Sequence, residues 1–342
     1  MESKMNRKLE SFERIKKELK DIPLSSIRLQ RHDPPGLTQT MPSVHIQADP
    51  SGRGAGEIFS VYPGIELSFY RFLGERISFH HQDLASVLEV HYCHQGRVGW
   101  KMRGGVSMYL GPGDLSLQGM DCCFDSQMVL PLGYYEGIAV FIDTRQLKKE
   151  CPQILQDGGF QAETIFQTYC ASHRPAAIPA CDEIQGIFSV FYHIPDSMKL
   201  AYCQLKVQEL LLYLSRTDPK QGTKMTESVS RQAELIREIH DYLTEHPEKR
   251  CTIEELSRRY LINTSSLKSE FKAVYGLPIA AYMKEYRVKK AMELLRSTDD
   301  SIRDIAARLG YESQGKFTKA FKDIVQITPV CYRKQYRPGT GS

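Results

Sequence analysis

Residues 252–272 are written a second time, in pattern, over residues 301–322. Thr252, Ile253, Leu256 and Tyr260 return as Ser301, Ile302, Ile305 and Leu309, 49 positions on; Asn263, Leu267, Phe271 and Lys272 return 50 positions on as Ser313, Phe317, Phe321 and Lys322. Each copy reads as two short helices joined by a tight turn. That is the shape of a helix-turn-helix, a unit that sets its second helix in the DNA major groove. A chain carrying two such units is constrained to a largely helical domain over this stretch, and double-stranded DNA is the expected partner.

The chemistry inside each copy agrees. Thr252 with Glu255, and Ser301 with Asp304, have the hydroxyl-x-x-acid spacing of a helix start, where side chains satisfy backbone N–H groups the helix leaves open. Ile253, Leu256 and Tyr260 fall on one helical face, as do Ile302, Ile305 and Leu309. Asn263 and Ser313 are placed to cap the second helices, whose apolar sides are Leu267, Phe271 and Val274, then Phe317, Phe321 and Ile324. Outside remain Ser265, Lys268, Ser269 and Lys272 in one copy and Gln314, Lys316, Lys319 and Lys322 in the other. Between the copies, residues 279–296 hold Ile279, Tyr282, Met283, Tyr286 and Leu294 at helical spacing without an internal Gly or Pro. At 1.5 Å per residue this rod spans roughly 27 Å, short of but near the ~34 Å between successive major-groove faces on one side of a duplex.

Residues 231–337 resemble the AraC/XylS family of bacterial transcription regulators. The resemblance is carried by Ala291-Met-Glu-Leu-Leu295, by Ile302-Arg-Asp-Ile-Ala-Ala-Arg-Leu-Gly-Tyr311, by Phe317-Thr-Lys-Ala-Phe-Lys322, and by Thr328-Pro329 and Tyr332-Arg333. It implies base-facing roles for Ser265, Lys268, Ser269, Gln314, Lys316 and Lys319, and phosphate contacts for Lys272 and Lys322. It also implies activation of transcription, contact with RNA polymerase, and a sensory domain of cupin type. The sequence departs from the family at Gln326, where a Gly usually follows the second recognition helix, and at Gly315, where a larger residue is common.

Charge supports this division. The formal net charge is only +4, yet residues 231–337 carry 21 Lys/Arg against 15 Asp/Glu, an excess that attracts phosphates and makes affinity fall as salt rises. No run of 18 apolar residues is present and residues 1–20 are charged, so a soluble, cytoplasmic protein without membrane contact is expected. Nine cysteines, an odd number without a CxxC pair, argue against a disulfide framework. The adjacent Cys122 and Cys123 are a candidate thiol sensor, with structural thiols as the alternative.

The N-terminal half reads differently. Over residues 1–45, Met5, Leu9, Phe12, Lys16 and Leu19 trace a helical stripe, making an amphipathic arm that packs on its own domain, on a partner subunit, or on nothing. From about residue 58 to 142, strands expected at 65–72, 87–93, 97–102, 106–110 and 114–118 are broken by Gly-rich turns. With the Gly111-Pro-Gly-Asp114 turn they suggest a cupin-like β-barrel over residues 46–180, large enough for one small ligand. Glu89, His91 and Cys93 share one strand face and, with Tyr92 and Trp100 and also Tyr109, are the candidate effector pocket. A metal-dependent barrel needs histidines two apart. His80 and His81 are adjacent and His91 and His94 are three apart, so neither pair chelates alone, and no cofactor is expected.

Residues 181–193 and 198–216 read as helices, and the face of Ala201, Leu205, Gln208, Leu212 and Ser215 is a candidate dimer surface or a packing surface for the barrel. Residues 217–228 are polar with Pro and Gly, a linker to a DNA-binding domain at 229–337. The chain is therefore expected to be an α+β multidomain, ligand-responsive homodimeric regulator, not an enzyme. The alternative is a metal- or thiol-dependent cupin-type enzyme or sensor with a helical docking module.

Overall fold

The computed structural model describes residues 4–34, 37, 45–80, 86–101, 106–120, 125–170, 176–217 and 228–336. The chain divides into two compact units, one of residues 14–227 and one of residues 1–13 with 228–342. Most of the expected linker, residues 218–227, and the Cys122–Cys123 pair lie outside the described residues.

The first unit is built on two sheets. Its strands are β1 (Ser26–His32), β2 (His45–Ala48), β3 (Arg53–Tyr62), β4 (Ile65–Leu73), β5 (Arg76–His80), β6 (Val87–Gly96), β7 (Val98–Lys101), β8 (Val106–Leu110), β9 (Leu115–Gly119), β10 (Asp125–Val129), β11 (Tyr134–Asp143) and β12 (Ala176–Ile178). One sheet runs β1-β3-β4-β11-β6-β9-β12; the other runs β8-β7-β10-β5-β2. Only the β1–β3 pair is parallel among the described ladders of this unit.

A closed barrel was the expectation, and the described residues do not form one: each sheet ends on two different edge strands. The physical reason is that the larger sheet is buried on both faces. Ile65, Leu67, Leu88, Val90, Leu115, Leu117, Ile138 and Val140 pack against helices, while Tyr70, Phe72, Cys93, Tyr135 and Ala139 pack with Ile77, Trp100, Met108 and Met128 of the second sheet. The result is a layer of helices on a two-sheet sandwich, and β11 is buried along nearly its whole length. The covering helices are α2 (Thr144–Lys149), α3 (Gln153–Asp157), α4 (Ala162–Cys170), α5 (Asp182–Phe188) and α6 (Lys199–Arg216), after the N-terminal α1 (Lys4–Glu18).

The structure sorts two expected faces. In the arm, the buried side chains are Ile15, Leu19 and Ile22, whereas Lys16 is exposed and the side chains of Met5 and Leu9 lie outside the described residues. In α6, the buried stripe is Cys203, Val207, Leu210, Leu211 and Leu214. The face expected to pack or dimerise is the outward one: Ala201, Leu205 and Ser215 are exposed, while Gln208 bonds Tyr62 Oη at 2.6 Å.

The second unit is all helical: α7 (Ser230–Glu245), α8 (Ile253–Arg259), α9 (Thr264–Tyr275), α10 (Ile279–Ser297), α11 (Ile302–Arg308), α12 (Gln314–Val325) and α13 (Pro329–Tyr336). One core forms around Phe271, whose ring meets Tyr275 at 4.7 Å and Tyr282 at 5.6 Å. The other gathers Val288, Ala291, Leu295, Ile305, Leu309, Phe317, Phe321 and Tyr332. Burying each Val, Leu, Ile or Phe side chain here contributes about 1.5–3 kcal/mol. The rod α10 therefore serves both cores, and its 19 residues make it ~28 Å long.

Candidate nucleic-acid interface and a buried polar cluster

Both helix-turn-helix units are assembled by the caps their sequences provide. Thr252 Oγ1 accepts from Glu255 N at 3.2 Å while Glu255 Oε2 accepts from Thr252 N at 2.7 Å, a reciprocal capping box on α8. Ser301 caps α11 by accepting from Asp304 N at 3.1 Å. The second helices start at Asn263, which accepts from Ser266 N at 2.7 Å, and at Ser313, which accepts from Lys316 N at 3.2 Å. Each cap satisfies an otherwise open donor and contributes about 1 kcal/mol.

With the apolar sides of α9 and α12 turned inward, all eight expected DNA-facing side chains are exposed: Ser265, Lys268, Ser269 and Lys272 on α9, and Gln314, Lys316, Lys319 and Lys322 on α12. Their local bonds differ. Ser265 Oγ donates to Asn263 Oδ1 at 2.8 Å, and Ser269 Oγ donates to Ser266 O at 3.1 Å. The Lys316 ammonium is folded back onto the Glu312 carboxylate, which also lies 3.5 Å from Arg250 Nη1. These cations hold the Glu312 carboxyl below the usual carboxylate range, Lys316 first. Glu312 was not singled out from the sequence; its spacing of four from Lys316 was the available signal.

The two units are joined by more than the rod. Arg287 of α10 donates from Nε to Pro247 O at 2.7 Å and from Nη2 to Lys249 O at 2.9 Å, fixing the loop between α7 and α8. From that loop, Arg250 Nε donates to Gly310 O at 3.0 Å, in the turn that leads to α12.

In the N-terminal unit, strand alternation sorts the candidate pocket residues. Glu89, His91 and Cys93 face the second sheet, where the His91 ring meets Trp100 at 4.9 Å. Tyr92 is not with them: it faces the helices and stacks on Phe188 at 4.4 Å. His94 shares the Tyr92 side and stacks on Tyr192, so His91 and His94 do point to opposite faces. The structure adds two residues from β9. Ser116 is in register with His91, and Gln118 with Glu89. His91 Nε2 and Glu89 Oε1 are 2.6 Å apart, and Gln118 Nε2 donates to Glu89 Oε2 at 2.7 Å. Three atoms of this knot, His91 Nδ1, Ser116 Oγ and Gln118 Oε1, are buried without a hydrogen-bond partner among the described residues.

Nearby, the Asp114 carboxylate clamps the Gly111-Pro-Gly turn, accepting from Gly111 N at 2.7 Å and Ala180 N at 3.0 Å. Burial pushes the Cys93 thiol up, away from thiolate chemistry. Among the described residues, no group of three His, Cys, Asp or Glu is arranged to hold a metal ion, and no helix is long and apolar enough to cross a membrane.

Comparison with known proteins agrees with the helical unit. Residues 256–335 match the family model described as a helix-turn-helix domain. The chain is 34% identical over 118 residues to the HTH-type transcriptional regulator YtdP of Bacillus subtilis, covering 33% of this chain and 15% of YtdP. It is 33% identical over 103 residues to the transcriptional regulator Rob of Salmonella typhimurium, covering 30% of this chain and 36% of Rob. Among solved structures, it is similar to the C-terminal domain of the two-component response regulator yesN from Fusobacterium nucleatum, with 32% identity, a TM-score of 0.28, and coverage of 30% of this chain and 99% of that one. The chain spans less than half the length of the curated relatives it matches.

Proposed function

Because residues 256–335 form an AraC-type helix-turn-helix domain, we propose that the whole protein is a ligand-responsive transcription regulator whose two recognition helices enter successive major grooves of one duplex. The observation that carries this reading is that α9 and α12 bury one face and expose the other as a set of hydroxyl, amide and ammonium groups. Ser265, Lys268, Ser269, Gln314, Lys316 and Lys319 read base edges, where Lys pairs with guanine acceptors and Gln with adenine. Lys272 and Lys322 hold phosphates and set register without reading sequence.

The N-terminal unit is the sensing half. We read its sandwich as cupin-like, on the support of its stacked antiparallel strands and the Asp114-clamped turn. The effector site is drawn around Glu89, His91, Cys93 and Trp100, now with Ser116 and Gln118, because buried polar atoms without partners favour a state in which something satisfies them. Leu205, 61% exposed on the outward face of α6, supports homodimerisation there. Effector binding changes which DNA boxes a dimer occupies together, and activation through RNA polymerase is the expected output.

Selection from a random duplex pool with the full-length protein tests this reading. Recovery of a motif with two boxes is expected, and Lys268→Ala or Gln314→Ala should weaken the selected site by about 1–3 kcal/mol while relaxing preference inside one box. Recovery of no motif would overturn it.

A further inference from the structure

Two helix-turn-helix units that share the rod α10 keep a fixed spacing only as far as the contacts between them allow. Here a second connection exists, made by a loop. Residues 246–251, between α7 and α8, lie between the rod and the turn of the second unit. Arg287 grips the loop from one side through two backbone carbonyls, at 2.7 Å and 2.9 Å. Arg250 leaves the loop on the other side and donates to Gly310 O at 3.0 Å.

Gly310 is where the fit is closest. Its φ is +74°, a left-handed conformation in which a side chain is strained. A Cβ there would sit 2.4 Å from Glu248 O and 2.8 Å from Glu248 C, so it would strike backbone and not a movable side chain. The same station in the first helix-turn-helix is Leu261, with φ 51° and 94% exposure. One repeat therefore carries an open turn at this position, and the other a turn with main chain packed against it. Gly310 lies four residues before Gln314, the first residue of α12, so whatever fixes Gly310 fixes the reading end of the second helix.

We infer that Arg287, Arg250 and Gly310 form a spacing clamp: they are positioning residues that hold the two recognition helices at one separation, so the protein measures the distance between its two boxes as well as reading them. The inference rests on the proposed reading of DNA by α9 and α12. Moving one box by a base pair shifts it by ~3.4 Å along the axis and by roughly 35° around it, from 10–10.5 base pairs per turn. A clamped pair cannot follow that shift, whereas a hinged pair can.

The test uses full-length protein and three duplexes: the selected site, the same site with one base pair added between the boxes, and a duplex with only the first box. Fluorescence anisotropy gives Kd for each. The parent should lose on the order of tenfold or more on the lengthened site, the cost of one lost box contact or more. Arg287→Lys keeps the charge but cannot reach two carbonyls in the same way; it should reduce that penalty to about threefold or less while leaving the one-box Kd within about twofold. Gly310→Ala should do the same without any change of charge, and circular dichroism melting checks that each variant is folded. If Arg287→Lys, shown to be folded, keeps the parent's full penalty, the clamp is overturned. A parent that tolerates the extra base pair also overturns it, while leaving base reading by each helix intact. A parent that selects no duplex overturns the reading of DNA itself and the clamp with it.

Discussion

Gly276 and Gln326 hold the same backbone conformation, φ 78° and 68°, one residue past the ends of α9 and α12. Each donates its backbone N–H to the carbonyl four residues back, Lys272 O at 2.8 Å and Lys322 O at 2.9 Å. Only the glycine does so without steric cost. Gln326→Gly should therefore stabilise the second unit by about 1 kcal/mol, raising Tm by roughly 4 °C. Gly276→Gln should cost a similar amount. Calorimetry of both variants checks the pair, and a fall in Tm for Gln326→Gly would show that the Gln326 Nε2 bond to Asp323 O, at 3.0 Å, outweighs the strain.

Phosphate and base contacts separate by salt. Lys272→Ala should weaken selected and random duplexes alike and lower the slope of log K against log salt by about one. Titrations at several salt concentrations read this directly. Unequal losses on the two duplexes would reassign Lys272 to base reading.

Glu312 draws in Lys316 and Arg250 at the reading end of α12. Glu312→Gln should release both cations, raising affinity for random duplex on the order of threefold at low salt while affinity for the selected site changes less. The ratio of the two Kd values is the measurement. An unchanged ratio would mean that Glu312 plays no part in discrimination.

His94 gives a pH dependence with a definite sign. Burial, helped by Arg14 and His193, pushes its pKa down to about 4, below the ~6.5 of a free imidazole. The unfolded chain thus binds the proton first. The neutral ring's contribution is complete above about pH 6.5 and is lost as pH falls toward 4, at up to ~1.4 kcal/mol per pH unit. Denaturant midpoints of parent and His94→Asn should converge over that window. Parallel curves would place the acid sensitivity elsewhere.

The helical unit was legible because its information is local. A cap, a period of 3.6 and a repeat can be read along the chain, so Thr252, Asn263, Ser301 and Ser313 were found where they act. The sandwich was legible only in pieces. Strands such as β11, buried on both faces, show no alternation to betray them, and the short helices α2 to α4 carry little periodic signal. Four of the pocket candidates were drawn from one strand, Val87–Gly96, so Tyr92 was grouped with neighbours that point the other way. Ser116 and Gln118 join them only through pairing with β9, which no local pattern announces. Arg287, Arg250 and Gly310 were missed for the same reason, since their bonds span 38 to 60 positions of chain and end on backbone carbonyls.

The two copies of the repeated pattern are built into a single object. Val288 at the middle of α10, and Ala291 and Leu295 beyond it, lie in the core around Phe317, while Tyr282 toward the start of the helix bonds His240 and meets Phe271. Cut anywhere along that helix, each fragment would expose apolar surface that its sibling had supplied. Heating should accordingly melt the pair in one cooperative step, and a gene fragment that encodes only one module should yield a chain prone to aggregate and not a smaller working protein.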